Sequence, residues 1–321
     1  MKPVAHLDVL ENDYMVVSWY VEPAVDCRKI HSDIRPFPGM NELPDYRDSG
    51  VYRMADVPFT RIAIDPTAYP EEEPYLAFAR AYSDRVCESV RSGHAHLAVG
   101  SYCTHIPSIL GGIRRAVGPD CRIGVVWLDA HADNQIVERT VDRRLRLVGV
   151  PMSTFLGQTL AHWRHTVGLE PPIAGTDVLA ADLRYLDAES IRNLEEAQVH
   201  VATQPMFRDR QRWTESVQQL AAQVDAIFLH VDADILHHEY IPAYEYDVVN
   251  GNDLETVRAN IAAVMDTGKV LGASVMCIGF EKQPDRLRDV NNITGIRLVS
   301  TVLSHWKQQP ELTGGKAGNR T

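Results

Sequence analysis

The sequence predicts an α/β protein whose mainly parallel sheet is covered by helices on both faces, and three observations carry that prediction. Short runs rich in Val, Ile and Leu recur along the chain, helix-like segments separate them, and two of the runs end in acidic residues at alternate positions. A strand buried on both faces reads as a continuous apolar run, whereas a half-solvated antiparallel strand alternates. Strands with helices between them give a layered α/β fold.

The apolar runs are YMVVSWYV (14–21), AHLAVG (95–100), IGVVWLD (123–129), DVLAADL (177–183), AIFLHVD (226–232) and VLGASVMCIG (270–279). Helical segments are expected over 74–90, 187–198, 212–225, 253–268 and 293–306. No repeat and no long linker interrupts them, so one domain over 1–307 is expected. Residues 36–75 are rich in Pro and Asp without a clear period and read as a loop-rich excursion. Residues 308–321 have the composition of a disordered tail.

The five cysteines, Cys27, Cys87, Cys103, Cys121 and Cys277, are odd in number, irregularly spaced and form no CxxC pair. That pattern reads as reduced thiols in a cytoplasmic protein. The N-terminus has no apolar signal core, and no run approaches the roughly 20 apolar residues of a membrane span. The formal net charge of -11 would repel a phosphate backbone. A small-molecule ligand is the expected partner, with neither nucleic acid nor membrane.

In a parallel α/β sheet, ligands bind outside the carboxyl ends of the strands. The segment WLDAHADN (127–134) leaves such a strand end. Positions i, i+2 and i+4 of an extended chain face one way, so Asp129, His131 and Asp133 can converge. The run ending HVDAD repeats the device with Asp232 and Asp234. An aspartate at a strand end is ordinarily a turn former or helix cap. Four carboxylates gathered at one sheet edge, however, repel one another and call for cations. Carboxylates with one imidazole are a hard donor set suited to Mn²⁺ and related divalent ions. Two such ions, typically ~3.5–4 Å apart, generate hydroxide at neutral pH.

These motifs resemble the arginase or ureohydrolase family. DAHAD (129–133) resembles the family's DAHxD motif. HVDADILHHEYIPAYEYDVVNG (230–251) resembles its second signature, with Asp232, Asp234, Pro242 and Gly251 in register. LAVGSYCTH (97–105), VGVPMSTF (148–155) and DLRYLD (182–187) resemble its GGDHS, HGxPxxF and GLRDVD segments. The resemblance runs from about residue 90 to 305. It implies a three-layer α/β/α fold, two Mn²⁺ per chain and hydrolysis of a guanidino or amidino carbon–nitrogen bond. It also implies a homo-oligomer, a trimer or hexamer. Asp129 and Asp232 would bridge the two ions. His131 and Asp234 would complete one site, and Asp133 would bind the other ion and orient the hydroxide.

The departures from the family pattern are as informative. Cys103 stands where the first-site histidine is expected; it reads as a thiolate ligand or as a packed core residue, with His105 as a substitute. Cys277 stands where the family's glutamate grips the guanidinium, so it is placed at the substrate. Val148 replaces a proton-shuttling histidine. His237 and His238 replace Asp-Pro, and His237 is the expected acid–base residue. The segment ERTVDRRLRL (138–147) carries Arg139, Arg143, Arg144 and Arg146. Arg146 is expected to hold an anionic part of the substrate. Asp187 is expected either to touch the substrate's amino group or to cap the helix that follows.

The function expected is release of urea or hydroxyurea from a guanidino or N-hydroxyguanidino amino acid. A family branch acting on hydroxyarginine shares the cysteine at the first metal site. The alternatives are a formimino, amidine or amide hydrolase, and a catalytically silent partner subunit of the same fold.

Overall fold

The computed structural model describes residues 1–21, 30–36, 42–100, 102–139, 147–244, 249–279 and 284–312. The strands are β1 (Lys2–Pro3), β2 (Leu7–Glu11), β3 (Tyr14–Val21), β4 (Ile30–Pro36), β5 (Phe59–Ala63), β6 (Ala95–Val99), β7 (Ile123–Leu128), β8 (Val178–Ala181), β9 (His200–Ala202), β10 (Ala226–Asp232), β11 (Val270–Met276) and β12 (Gln308–Gln309). Eight of them form one sheet in the order β5-β2-β6-β11-β10-β7-β8-β9. Every pairing in that sheet is parallel. Helices Pro74–Arg91, Ile106–Val117, Arg210–Gln223, Leu254–Met265 and Asp285–His305 are the long covering elements. The expected three-layer α/β fold is the one observed.

The central strands β6, β7, β10 and β11 are buried at every position, which is why their sequences are continuous apolar runs. β6 and β7 follow one another in the chain, yet β11 and β10 lie between them in the sheet. Their carboxyl ends therefore bring residues near 103, 129–133, 232–234 and 277 to one edge. Gly251 braces that edge: a Cβ there would lie 2.1 Å from the Leu236 carbonyl oxygen, so only glycine lets this loop close against the segment after β10.

Four expectations need correction. The run 14–21 is not a strand of the main sheet: β3 pairs antiparallel with β4 as a separate ribbon. Its Tyr14–Val17 stretch is only partly buried, so apolar composition here serves a cavity wall rather than a sheet interior. The excursion 36–75 holds the helix Glu42–Ser49 and the edge strand β5. β5 shows no apolar run because it is half-exposed along its length. The tail does not begin at 308, because β12 pairs with β1 and buries Gln309; residues 313–321 lie outside the described residues. Helix Ile106–Val117 was not expected: its segment carries Pro107, Gly111 and Gly112, poor helix formers, although nine of its twelve residues are buried.

β2 escaped notice because Asp8 and Glu11 interrupt it. Both are buried by pairing: His94 Nδ1 lies 2.9 Å from Asp8, and Arg47 grips Glu11 through Nε at 3.1 Å and Nη2 at 2.6 Å.

Glu42 has no such partner. It is fully buried, neither carboxyl oxygen is hydrogen bonded, and burial pushes its pKa up to about 7. The folded chain holds this proton more tightly than the unfolded chain, where the value is 4.5. Its stabilising contribution is therefore complete below pH 4.5 and is lost as the pH rises to 7, by about 3 kcal/mol at most. Glu42→Gln is expected to remove that slope, so urea midpoints of the variant should fall less between pH 5 and pH 8. Parallel pH profiles for the two proteins would contradict the assignment.

Candidate metal centre

Asp129 follows β7 directly, and the chain then turns so that its carboxylate bonds its own neighbours: the His131 amide donates to Oδ1 at 2.6 Å. Asp232 ends β10 and accepts the Asp234 amide at 3.0 Å. The Ala130 amide donates to Asp234 Oδ1 at 2.9 Å, which ties the two strand ends together. His131 Nδ1 lies 2.7 Å from Asp234 Oδ2 and 3.6 Å from Asp129 Oδ1. Its ring stacks on Tyr185 with centroids 5.0 Å apart. Asp133 turns back with φ 46° and accepts from the Cys103 thiol at 3.0 Å. Cys103 lies in the turn after β6, and Cys277 follows β11 with φ 62°. Left-handed backbone at non-glycine residues is strained, and such strain gathers at functional sites.

Three of the four carboxylates, Asp129, Asp232 and Asp234, are buried, and Asp133 is half-buried. Burial, reinforced by the neighbouring carboxylates, pushes Asp129 and Asp232 well above the usual carboxylate range. Burial also raises Asp133, to about 6. Burial opposes the His131 imidazolium, but Asp129 and Asp234 outweigh it and push its pKa up to about 12. In return, His131 overcomes the effect of burial on Asp234 and holds it below the ordinary value. Burial first, then neighbouring thiol and carboxylate groups, keeps the Cys103 thiol protonated. Protons thus stand where positive charge is wanted.

The donor set fits divalent cations. Asp129 Oδ2 is buried without a hydrogen-bond partner, 3.9 Å from the equally unpartnered Nε2 of buried His230. Ligand-type atoms of Asp129, His131 and Asp234 lie within 4.8 Å of one another, as do those of Asp129, His230 and Asp232. Buried lone pairs with no donor are what a cation would satisfy.

A cavity of about 500 Å³ opens above these groups. Cys103, His131, Asp133, Asp232, Asp234, Tyr244 and Cys277 line it, and β3 residues Met15–Ser18 form one wall. Its size suits an amino-acid-like ligand with room for ions and water. Val148 also faces it, and its carbonyl oxygen lies 3.6 Å from the Cys103 Sγ.

Other expected residues lie elsewhere. His237 is exposed, accepts the Glu239 amide at 3.3 Å and does not line the cavity; the exposed 3-10 turn His238–Tyr240 carries it away. His105 is core, stacked on Tyr82 at 5.5 Å, and burial lowers its pKa to about 3. Asp187 caps the helix Ala188–Ala197, accepting the Ser190 amide at 2.7 Å, and lines an adjoining groove that shares His131 and Asp133 with the main cavity. Arg139 pairs with Glu196 at 2.8 Å; Arg143, Arg144 and Arg146 lie outside the described residues.

Three contributors were missed. Tyr244 donates to Asp234 Oδ2 at 3.1 Å and approaches Asp232 Oδ1 at 3.4 Å. Its place inside the second motif was visible in the sequence, but not its orientation. His230 precedes Asp232 by two residues and shares its strand face, which was the available signal. Arg184, inside DLRYLD, pairs with Asp182 and donates to the carbonyls of Asp234 and Ile235.

A parallel eight-stranded sheet whose carboxyl edge gathers four carboxylates, an imidazole and two thiols defines an α/β protein with a centre suited to divalent cations. The model of the Arginase family matches residues 28–302, and the chain belongs to that family. It is 25% identical over 148 residues to an arginase of Entamoeba histolytica, a match spanning 46% of this chain and about half, 49%, of that relative. Among solved structures it is similar to arginase from Bacillus subtilis, with TM-score 0.75, 17% identity and coverage of 93% and 98% of the two chains. It is also similar to formimidoylglutamase from Bacillus subtilis, with TM-score 0.67, 14% identity and coverage of 97% and 89%. At these identities the structural likeness is one of fold. Among the described residues, no helix is long and apolar enough to cross a membrane.

Proposed function

We propose that this chain hydrolyses a carbon–nitrogen bond in the guanidino, N-hydroxyguanidino or related amidino group of an amino-acid-sized substrate. The observation that carries this reading is the convergence of His131, Asp133, Asp232 and Asp234 on the wall of one cavity, with Asp129 buried beside His131 and Asp234. Asp129, His131 and Asp234 form a hard donor group for one divalent ion, with Mn²⁺ the fitting choice. Asp232 and Asp133, with Cys103, would hold the other. Bound there, the ions supply the Lewis acidity that makes water nucleophilic at neutral pH.

The chain's own residues do the rest. Asp133 faces the cavity and is placed to accept the water's proton and return it to the departing nitrogen. Tyr244 orients the carboxylates of Asp232 and Asp234. The β3 wall narrows the cavity and helps to exclude bulk water. Arg146 remains the proposed contact for a substrate carboxylate, and Asp187, in the adjoining groove, the proposed contact for an amino group.

The substrate class turns on position 277. Without a carboxylate there, a strongly basic guanidinium loses its partner, which favours the less basic N-hydroxyguanidino or formimino group. The deciding experiment offers guanidino, N-hydroxyguanidino and formimino amino acids to protein supplied with Mn²⁺ and Zn²⁺, and measures urea, hydroxyurea and formamide. Hydroxyurea is the product expected. Silence across the panel with both ions bound would favour the partner-subunit reading.

A further inference from the structure

The Sγ atoms of Cys103 and Cys277 and a carboxylate oxygen of Asp232 all lie within 4.8 Å of one another. The three side chains are buried, at 1%, 2% and 3% exposure. Cys103 Sγ also touches Asp133 Oδ2 at 3.0 Å. Both cysteines belong to the buried core, yet their sulfurs also face carboxylates at the wall of a cavity. They arrive from different strands, Cys103 after β6 and Cys277 after β11, which are neighbours in the sheet. The left-handed backbone at Cys277 belongs to the arrangement that brings its sulfur there.

We propose that Cys277 is a metal ligand, and that Cys103, Cys277 and Asp232 form a two-thiolate site for a thiophilic divalent ion, Zn²⁺ in preference to Mn²⁺. This rests on the reading of the carboxylate cluster as a metal centre. Around a tetrahedral ion with Zn–S of about 2.3 Å and Zn–O of about 2.0–2.2 Å, neighbouring ligand atoms stand roughly 3.4–3.8 Å apart. The three ligand atoms, all within 4.8 Å of one another, already stand near that spacing. Asp133 is the natural fourth donor, at the open, cavity-facing side. Two sulfurs make the position soft, while Asp129, His131 and Asp234 keep the neighbouring position hard. The centre is thereby asymmetric, with the two positions selecting different metals. Binding releases the thiol protons, one per sulfur, and leaves two thiolates on the ion. The same assignment removes Cys277 from the substrate contacts and explains why no acidic group is found there.

The experiment uses the full chain, stripped with chelator and reloaded with Zn²⁺ or Co²⁺. X-ray absorption at the zinc edge of the wild-type protein loaded with one Zn²⁺ per chain is expected to show two sulfur scatterers at about 2.3 Å. With Co²⁺, the near-ultraviolet thiolate-to-metal charge-transfer band should fall to roughly half in Cys277→Ser and likewise in Cys103→Ser, since its intensity follows the number of coordinated thiolates. One sulfur or none in the wild-type zinc spectrum overturns the proposal, and so does an unchanged cobalt band in Cys277→Ser. A thiol titration two short of five in the denatured, metal-free protein would show the pair oxidised to a disulfide and would equally overturn it. If elemental analysis finds no ion bound under any condition, the metal centre itself fails; ions bound without sulfur leave that centre standing and remove only the two-thiolate site.

Discussion

Asp232→Asn is expected to strip most of the metal and to lower turnover by on the order of 10³-fold. Asp232 belongs to two of the converging ligand groups, one with Cys103 and Cys277 and the other with Asp129 and His230. Losing it therefore weakens both metal positions at once. Removing a residue that merely orients a ligand typically costs 10–100-fold in affinity or activity, and a shared ligand should cost more. The metal-free fold should tolerate the change. Asn preserves the shape and the oxygen that accepts the Asp234 amide, and it relieves repulsion from Asp234 and Asp133. The metal-free variant should thus melt no lower than wild type. Elemental analysis of the two proteins side by side is the check, and wild-type metal content in Asp232→Asn would remove Asp232 from the centre.

Arg184→Ala is expected to destabilise the protein by about 3–5 kcal/mol, the range for breaking a buried ion pair from one side. Asp182 would be left buried, with only the Asn252 amide at 2.6 Å to replace the guanidinium. For a chain of this length that loss corresponds to roughly 5–8 °C in Tm. Arg184 also holds the carbonyls of Asp234 and Ile235, so the loop bearing Asp234 should loosen and metal should bind more weakly beside His131. Arg184→Lys keeps the charge but not the planar fork, and should recover only part of both effects. Thermal melts of the metal-free proteins decide it, since a shift below 1 °C would mean that the pair carries no stability.

The central strands and the aspartate ends were legible because one physical constraint produces both. Burial on two faces forces continuous apolar runs, and a charge at the end of such a run needs a reason to be there. Asp129, His131, Asp133, Asp232 and Asp234 stood out on that ground. Elements stabilised by pairing were harder to see. β2 carries two acids whose partners, His94 and Arg47, are distant in sequence. Helix Ile106–Val117 was masked by Pro107, Gly111 and Gly112, which lower its intrinsic helix propensity. β3 looked like sheet interior because its Met15, Val16 and Val17 line a cavity.

Cys277 shows where alignment of a motif stops being informative. Its position suggested contact with substrate, because the family carries a glutamate there. Only the fold reveals that its neighbours are Cys103 and Asp232. His237 shows the reverse: a histidine beside the aspartate motif is carried away from the cavity by the turn that follows β10.

The proposed hydrolysis depends on metal ions held at the sheet edge. The most direct test titrates metal into chelator-stripped protein, counting bound ions per chain while following release of product from the substrate the panel identifies. Two ions per chain are predicted, in two distinguishable steps, with turnover appearing only as the second position fills. Turnover at full rate in protein holding no metal would contradict the account, as would a protein that binds less than one ion per chain at saturation.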